Sequence, residues 1–273
     1  MPAQTLGARP AARKRKIAVR KISDEDLRWA LKSGLADFGA MRGDLVFVGL
    51  LYPIVGIIAA VMTTDGSLLP LFFPVAAGVG LLGPVAAVGF YELARRREAG
   101  QTSNWSHFFD VRKRSTVDDM GVVAGMLLAI FAAWLLAAGA IYLALFGLNV
   151  PDQIMDFVRM VFTTPRGWAL IGIGAVVGAI FGWLVLGISV VSLPLLVDRN
   201  VTTAEAVSAS WRAANLNKGE MIRWGLIVTV LLVLGSIPLF IGLAFVLPWL
   251  GYSTWHLYTR LVDRDKLPGR RRK

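Results

Sequence analysis

From Trp168 to Val197 the chain runs for about thirty residues without an Asp, Glu, Lys or Arg, more than the roughly 20 apolar residues a bilayer crossing needs. This stretch is expected to span a membrane. Within it Gly174, Gly178 and Gly182 recur every four residues, which stacks bare backbone patches on one helix face and invites a close neighbour. The preceding apolar stretch carries a matching stripe in Gly121, Gly125, Ala129, Ala133 and Ala137. The two spans are therefore expected to pack through these small residues, and a bulky Leu at Gly178 is expected to force them apart.

The rest of the chain points the same way. Of 273 residues 56% are hydrophobic and only 17% charged, with a mean hydropathy of +0.61, too apolar for a water-soluble domain. The absence of Cys removes disulfides, zinc–thiolate and iron–sulfur sites and thiol nucleophiles. Two His, His107 and His256, are too few for a haem–copper core. The net charge of +11 is first a topology signal in a membrane protein, and no nucleic-acid partner is expected. The first strongly apolar run begins near Leu45, so an uncleaved first span is expected to act as the anchor.

Charge asymmetry orders the spans. Apolar runs occupy residues 45–62, 68–93, 120–148 and 168–197. The first connection, Thr63 to Ser67, carries no Lys or Arg, whereas the second holds Arg95, Arg96, Arg97, Arg112, Lys113 and Arg114. The first loop is placed outside and the second inside. The last apolar block, residues 224–261, is too long for one crossing and ends in a basic tail, so it is expected to turn near Gly235 to Pro238 and cross twice, or to form a re-entrant hairpin. The fold expected is an all-α polytopic bundle of six spans over residues 44–262 with both termini cytoplasmic. Residues 1–22 read as a disordered basic tail, 23–43 as an amphipathic cytoplasmic helix and 263–273 as a second basic tail.

Local signals refine this plan. Ser23 with Asp26 makes a capping box ahead of a face of Leu27, Ala30, Leu31, Gly34, Phe38 and Met41, with Trp29 on the other side. Val150, Ile154, Phe157, Val158, Val161 and Phe162 share one face of an outer-loop helix expected to lie along the membrane surface. Thr202 with Glu205 starts another helix, expected to end at Lys218 and Gly219. Trp29, Trp105 and Trp211 precede successive span pairs whose second members carry Pro84, Pro194 and Pro248, a weak repeat.

Ionisable residues inside spans are by default functional, and here the spans hold almost none. No catalytic, cofactor-binding or metal-ligating pattern occurs. The remaining polar candidates are Tyr91, Glu92, Asp198, Tyr252, His256 and Tyr258, all expected near the inner face. They would converge on a small pocket, or else Glu92 and Asp198 simply pair with Arg95 and Arg199.

The stretch Val19-Arg20-Lys21-Ile22, the run from Leu27 to Phe38 (LRWALKSGLADF), and Tyr52-Pro53 with Gly56 resemble an uncharacterised family of proteobacterial integral membrane proteins defined by a domain of unknown function. Trp211, Lys218-Gly219 and Pro248 look loosely like other six-span bacterial membrane families. The resemblance covers most of the chain after residue 18 and implies a Gram-negative inner membrane, with no catalytic residue to carry over. The role expected is a non-enzymatic scaffold or accessory subunit, with no cofactor, engaging membrane lipids through anionic headgroups and a membrane-protein partner. The alternative is a transporter or channel for a lipid or small hydrophobic solute, with Tyr52, Tyr142, Ser189, Ser192, Thr229 and Ser236 lining one cavity.

Overall fold

A computed structural model describes residues 16–40, 74–75, 83–148, 150–151, 153–237 and 242–267. Among them ten α-helices follow in order: α1 (Asp24–Ala40), α2 (Gly83–Ala86), α3 (Val88–Glu98), α4 (Val117–Phe146), α5 (Ile154–Thr163), α6 (Pro165–Ser189), α7 (Ser192–Asp198), α8 (Thr203–Leu216), α9 (Lys218–Ser236) and α10 (Leu243–Leu261). A 3₁₀ helix (Trp105–Lys113) precedes α4. Three stretches are long and apolar enough to cross a membrane, namely α4, α6 continued by α7, and α9. Only 22%, 6% and 17% of their most apolar windows is buried. Helices that greasy and that bare need hydrocarbon around them, so the chain is a membrane protein with apolar helices. The first expected span, 45–62, and half of the second, 68–93, lie outside the described residues.

The core collects at one end of this bundle. Here lie the C-terminal ends of α3, α7 and α10 and the N-terminal ends of α4 and α9, with α1 and α8 packed on them. Because Arg95, Arg96, Arg97, Arg114, Arg199 and Arg264 all belong to it, it is called the basic end. Trp224, Trp255, Tyr91, Tyr252 and Tyr258 are its largest enclosed side chains. More than half of the residues of α10 are buried in this core.

The expected start of α1 holds, since the Ser23 amide and hydroxyl both donate to Asp26, at 2.9 and 3.2 Å. Its face of Leu27, Ala30, Gly34 and Phe38 is buried against α10. A side chain at Gly34 would meet the Ser253 backbone, with the amide nitrogen 2.5 Å and Cα 2.7 Å from an added Cβ. Trp29, half-exposed, packs edge-on to His256 and lies under the Arg260 guanidinium.

The sixth helix ends where Pro194 removes an N–H from the ladder; the next helix restarts at Ser192, and the Val191 amide is taken by the buried Ser210 hydroxyl at 3.1 Å. The capping box of Thr202 and Glu205 starts α8 as expected. Its end differs from expectation. Asn217, not Lys218-Gly219, is the joint, and Lys218 already begins α9. The far turn lies close to the expected breakers: α9 ends at Ser236, and an added Cβ on Gly242 would come 2.8 Å from the Gly235 carbonyl oxygen.

Residues 16–22 differ from the expected loose tail. Ile17 and Ile22 are buried, and Val19 pairs antiparallel with Val262. Arg20 N–H donates to the Leu261 carbonyl at 2.7 Å, and Asp263 N–H to that of Ala18 at 3.1 Å. Asn217 holds this ribbon from below: its side-chain oxygen accepts from Ile22 N–H at 2.8 Å, while its amide donates to the Arg20 and Ala213 carbonyls. Hydrophobic side chains and an Asn at the α8–α9 joint thus order a segment whose composition reads as disordered. The C-terminal boundary shifts likewise, with Asp263 to Leu267 folded.

The small-residue stripes require a correction. The fourth and sixth helices do pack together, but α4 buries Met120, Val123, Leu127 and Trp134, whereas Gly121, Gly125, Ala129 and Ala133 are exposed on another face. An added Cβ at Gly121, Gly125, Gly174 or Gly182 would meet nothing within 4 Å. Only Gly178 has a neighbour, the Trp134 ring 3.4 Å from where its Cβ would stand. An indole, edge-on to Phe181, fills the space that glycine-to-glycine contact was expected to close. The close glycine approaches lie elsewhere, at Gly34 on Ser253 and at Gly187 under the Trp211 ring, 2.5 Å from an added Cβ.

Gly34→Ala and Gly187→Ala should therefore each lower stability by about 1–3 kcal/mol through overpacking, whereas Gly125→Ala and Gly174→Ala should stay within about 0.5 kcal/mol. Thermal unfolding in detergent reads both pairs, and equal losses at all four positions would mean that the stripes are packed after all.

Candidate functional site

The six polar residues picked from the sequence sit at the basic end, yet they do not line one pocket. Four of them, Glu92, Asp198, Tyr258 and His256, are parted among three ionic nodes, each organised by one carboxylate. Glu92, on α3 and 2% exposed, accepts from Arg95 Nε and Nη2 at 2.9 and 2.5 Å, from Arg96 Nε at 3.0 Å, and from Arg114 Nε and Nη2 at 3.0 and 2.6 Å. The Arg96 fork continues to Asp110 in the 3₁₀ helix at 2.6 Å. This node ties α3 to the connection before α4.

At the C-terminal end of α7, Asp198 accepts from the Tyr258 hydroxyl and from Arg264 Nε, both at 3.0 Å. Arg264 also reaches Glu98, whose other oxygen accepts from Trp255 Nε1 at 3.1 Å. Burial works against the Arg264 charge, but the hydrogen bond to Glu98 and the charges of Asp198 and Glu98 outweigh it and hold the guanidinium more firmly protonated than usual. Beside this node lies a shallow cleft of about 390 Å³ lined by Glu98, Ala99, Arg199 and Arg264.

The third node is built on Asp37 of α1, which takes Arg97 Nε at 2.7 Å and His256 Nε2 at 2.8 Å. Tyr91 and Tyr252 belong to none of the three. Both are buried; Tyr91 hydrogen-bonds the Thr254 side chain and Tyr252 stands edge-on to Phe90 at 5.7 Å. The simple pairing of Glu92 with Arg95 is thus present, and Asp198 and Arg199 stand 3.3 Å apart.

These nodes lie in a bundle with outward-facing apolar helices, part of which matches a known family. Residues 72–198 match the model of a family described as predicted integral membrane protein (DUF2189). No curated protein and no solved structure gives a match. The DUF2189 segment is narrower than the resemblance read from the sequence, and the motifs that carried that resemblance, Val19 to Ile22, Leu27 to Phe38 and Tyr52 to Gly56, precede it. It contains Glu92, Arg114, Asp198 and both halves of the α4–α6 hairpin. Tyr252, His256, Tyr258 and Arg264 fall after it, so two nodes join the DUF2189 segment to the rest of the chain.

Sequence reasoning missed Asp37, Glu98, Arg114 and Arg264. A carboxylate beside Phe38 in the amphipathic α1 was a usable signal for Asp37. Arg114 and Arg264 had none, because they reach Glu92 and Asp198 across 22 and 66 residues.

Two outcomes follow. Glu92→Ala leaves Arg95, itself 9% exposed, without its partner, and should cost about 3–5 kcal/mol; a melting temperature in detergent within a degree of the parent's would show that the node is idle. Asp263, at the terminal ribbon, is held below the usual carboxylate range by hydrogen bonds from Lys266 and Arg20. Its contribution is therefore present above the ordinary carboxylate pKa and lost as pH falls through its lowered one. Hydrogen exchange at the Arg20 and Asp263 amides should accelerate, beyond the intrinsic pH dependence, only below about pH 4. Acceleration between pH 6 and 8 would place the titrating group elsewhere.

Proposed function

We propose that this chain is a non-enzymatic scaffold or accessory subunit of a bacterial inner membrane, with six spans and both termini on the cytoplasmic side, engaging anionic lipid headgroups and a membrane-protein partner. The observation that carries this reading is the use made of the polar groups. Glu92, Asp198 and His256, the side chains that chemistry would draw on, fasten α3, α7 and α10 to their neighbours through arginines, Tyr258 and Asp37. The basic end also has the dress of a membrane interface: Trp105, 51% exposed, and the exposed Lys113 border it, and Trp168, 59% exposed, stands at the opposite end.

The hydroxyls that a carrier would need in one cavity are scattered. Ser189 and Ser192 are buried near the basic end; Ser189 donates to the Val185 carbonyl of its own helix, and Ser192 back to the Ile188 carbonyl of α6. Exposed Thr229 does the same with Gly225, and Tyr142 stacks on Phe146 and Phe157 at the far end. Tyr52 lies outside the described residues. This arrangement favours the scaffold over the carrier.

Native mass spectrometry on protein released gently from its own membrane tests the reading, run beside flux assays in liposomes. A stoichiometric second membrane protein, with no flux of labelled lipid or solute, is expected. A protein recovered alone that speeds lipid or solute exchange would overturn the scaffold reading and install the carrier.

A further inference from the structure

The Arg199 guanidinium at the basic end shares its carboxylate partner with two other donors. Arg199 caps the C-terminal end of α7, with its side chain 15% exposed. Its Nε is buried and makes no hydrogen bond. The nearest carboxylate oxygen, Asp198 Oδ2 at 3.3 Å, already receives Tyr258 and Arg264. A cation at a helix C-terminus is favoured by the dipole, which explains the charge but leaves the donor. An ion pair to an oxygen already occupied by two donors leaves the guanidinium under-satisfied. The other buried unsatisfied side-chain atom among the described residues, Ser253 Oγ, is closed in by Gly34, but Arg199 lines the cleft of about 390 Å³, within the roughly 300–1,000 Å³ of ligand sites.

From this geometry we infer that the Arg199 cleft is a phosphodiester site, taking the headgroup of a membrane phospholipid. The planar fork of a guanidinium suits two oxygens of a phosphate. Its neighbour Arg264 is committed to Asp198 and Glu98, so the phosphate is Arg199's to hold. A second lining residue selects the class. Glu98 lines the cleft and is 42% exposed, with each oxygen already accepting one hydrogen bond. It repels a dianion and offers its remaining lone pairs to a donor. A singly charged phosphodiester carrying a hydroxyl or an ammonium, as in a phosphoglycerol or phosphoethanolamine headgroup, satisfies both Arg199 and Glu98; free phosphate and phosphomonoesters satisfy only Arg199. This rests on the lipid-engaging part of the proposed function and makes it local.

The test is native mass spectrometry of the delipidated full-length protein in detergent, titrated with short-chain phosphatidylglycerol, short-chain phosphatidylethanolamine and inorganic phosphate. The expected result is one saturable lipid adduct, weaker by about tenfold or more in Arg199→Gln, partly kept in Arg199→Lys, and no matching phosphate adduct. In Glu98→Gln inorganic phosphate should gain affinity relative to the lipids. Tight phosphate binding by the parent protein would overturn the lipid assignment, and equal lipid binding by Arg199→Gln, in a variant whose melting temperature matches the parent's, would overturn the site. Either failure leaves the scaffold reading to its own test, because partner retention does not depend on this cleft.

Discussion

A carboxylate at the edge of a hydrocarbon slab is tolerable only when its charge is met, and in this protein that requirement shapes the packed end. Desolvation penalises each isolated ion by several kcal/mol, and the arginines that answer Glu92, Asp198 and Asp37 come from different parts of the chain. Neutralising the charge and joining the helices are therefore one act. Glu92 draws in the connection ahead of α4, Asp198 the chain after α10, and Asp37 seats α1 against α3 and α10. Removing a partner leaves the other buried and charged, so these contacts set which helices are neighbours more than they add net stability.

Away from that end the constraint vanishes and the packing loosens. In lipid there is no hydrophobic gain from bringing two apolar helices together, so α4, α6 and α9 keep most of their surface outward while shape alone decides their contacts. One indole edge over Gly178, and Tyr142 with Phe146 on α4 packed with Leu170 and Ile171 of α6, hold the α4–α6 hairpin. The amphipathic α5 shows the transition: Phe157 and Val161 are buried against this hairpin, whereas Met155 and Phe162 stay exposed beside Trp168. It fastens to protein on one side and keeps an apolar side free, so it is less a helix lying flat on lipid than a lid over the far end of α4 and α6.

What the sequence disclosed follows the same division. Starts of helices were legible because a cap is a local bargain among four residues, and Ser23 with Asp26 and Thr202 with Glu205 read directly. The apolar runs were legible because hydrocarbon thickness fixes their length. The partner of a face was not. A stripe of Gly and Ala marks where a backbone is bare, but a Trp at position 134 can cover Gly178 from a different face of α4, and nothing in periodicity announces it. The ionic nodes divide similarly: Arg95 is three residues from Glu92 on the same helix, so this pair was readable, whereas Arg264 reaches Asp198 only after the chain has passed through three further helices. Tail composition misled for a physical reason too, since two isoleucines and one Asn at a helix joint suffice to order residues that look unable to build a core.

The terminal ribbon carries an implication for topology that no single span provides. Val19 and Val262 are neighbours, so whatever crossings lie between them come in an even number. Of the three strongly apolar stretches among the described residues, α9 ends away from the basic end at which α4 begins, so the chain has still to come back to Val262 after it. It does so along α10, whose C-terminal end lies with those of α3 and α7 and whose Pro248, Trp255 and Tyr258 are buried against protein. A helix shielded by neighbours can be less apolar than a lipid-facing one of equal length, which is why α10 carries His256 and Arg260 and falls outside the three most apolar stretches.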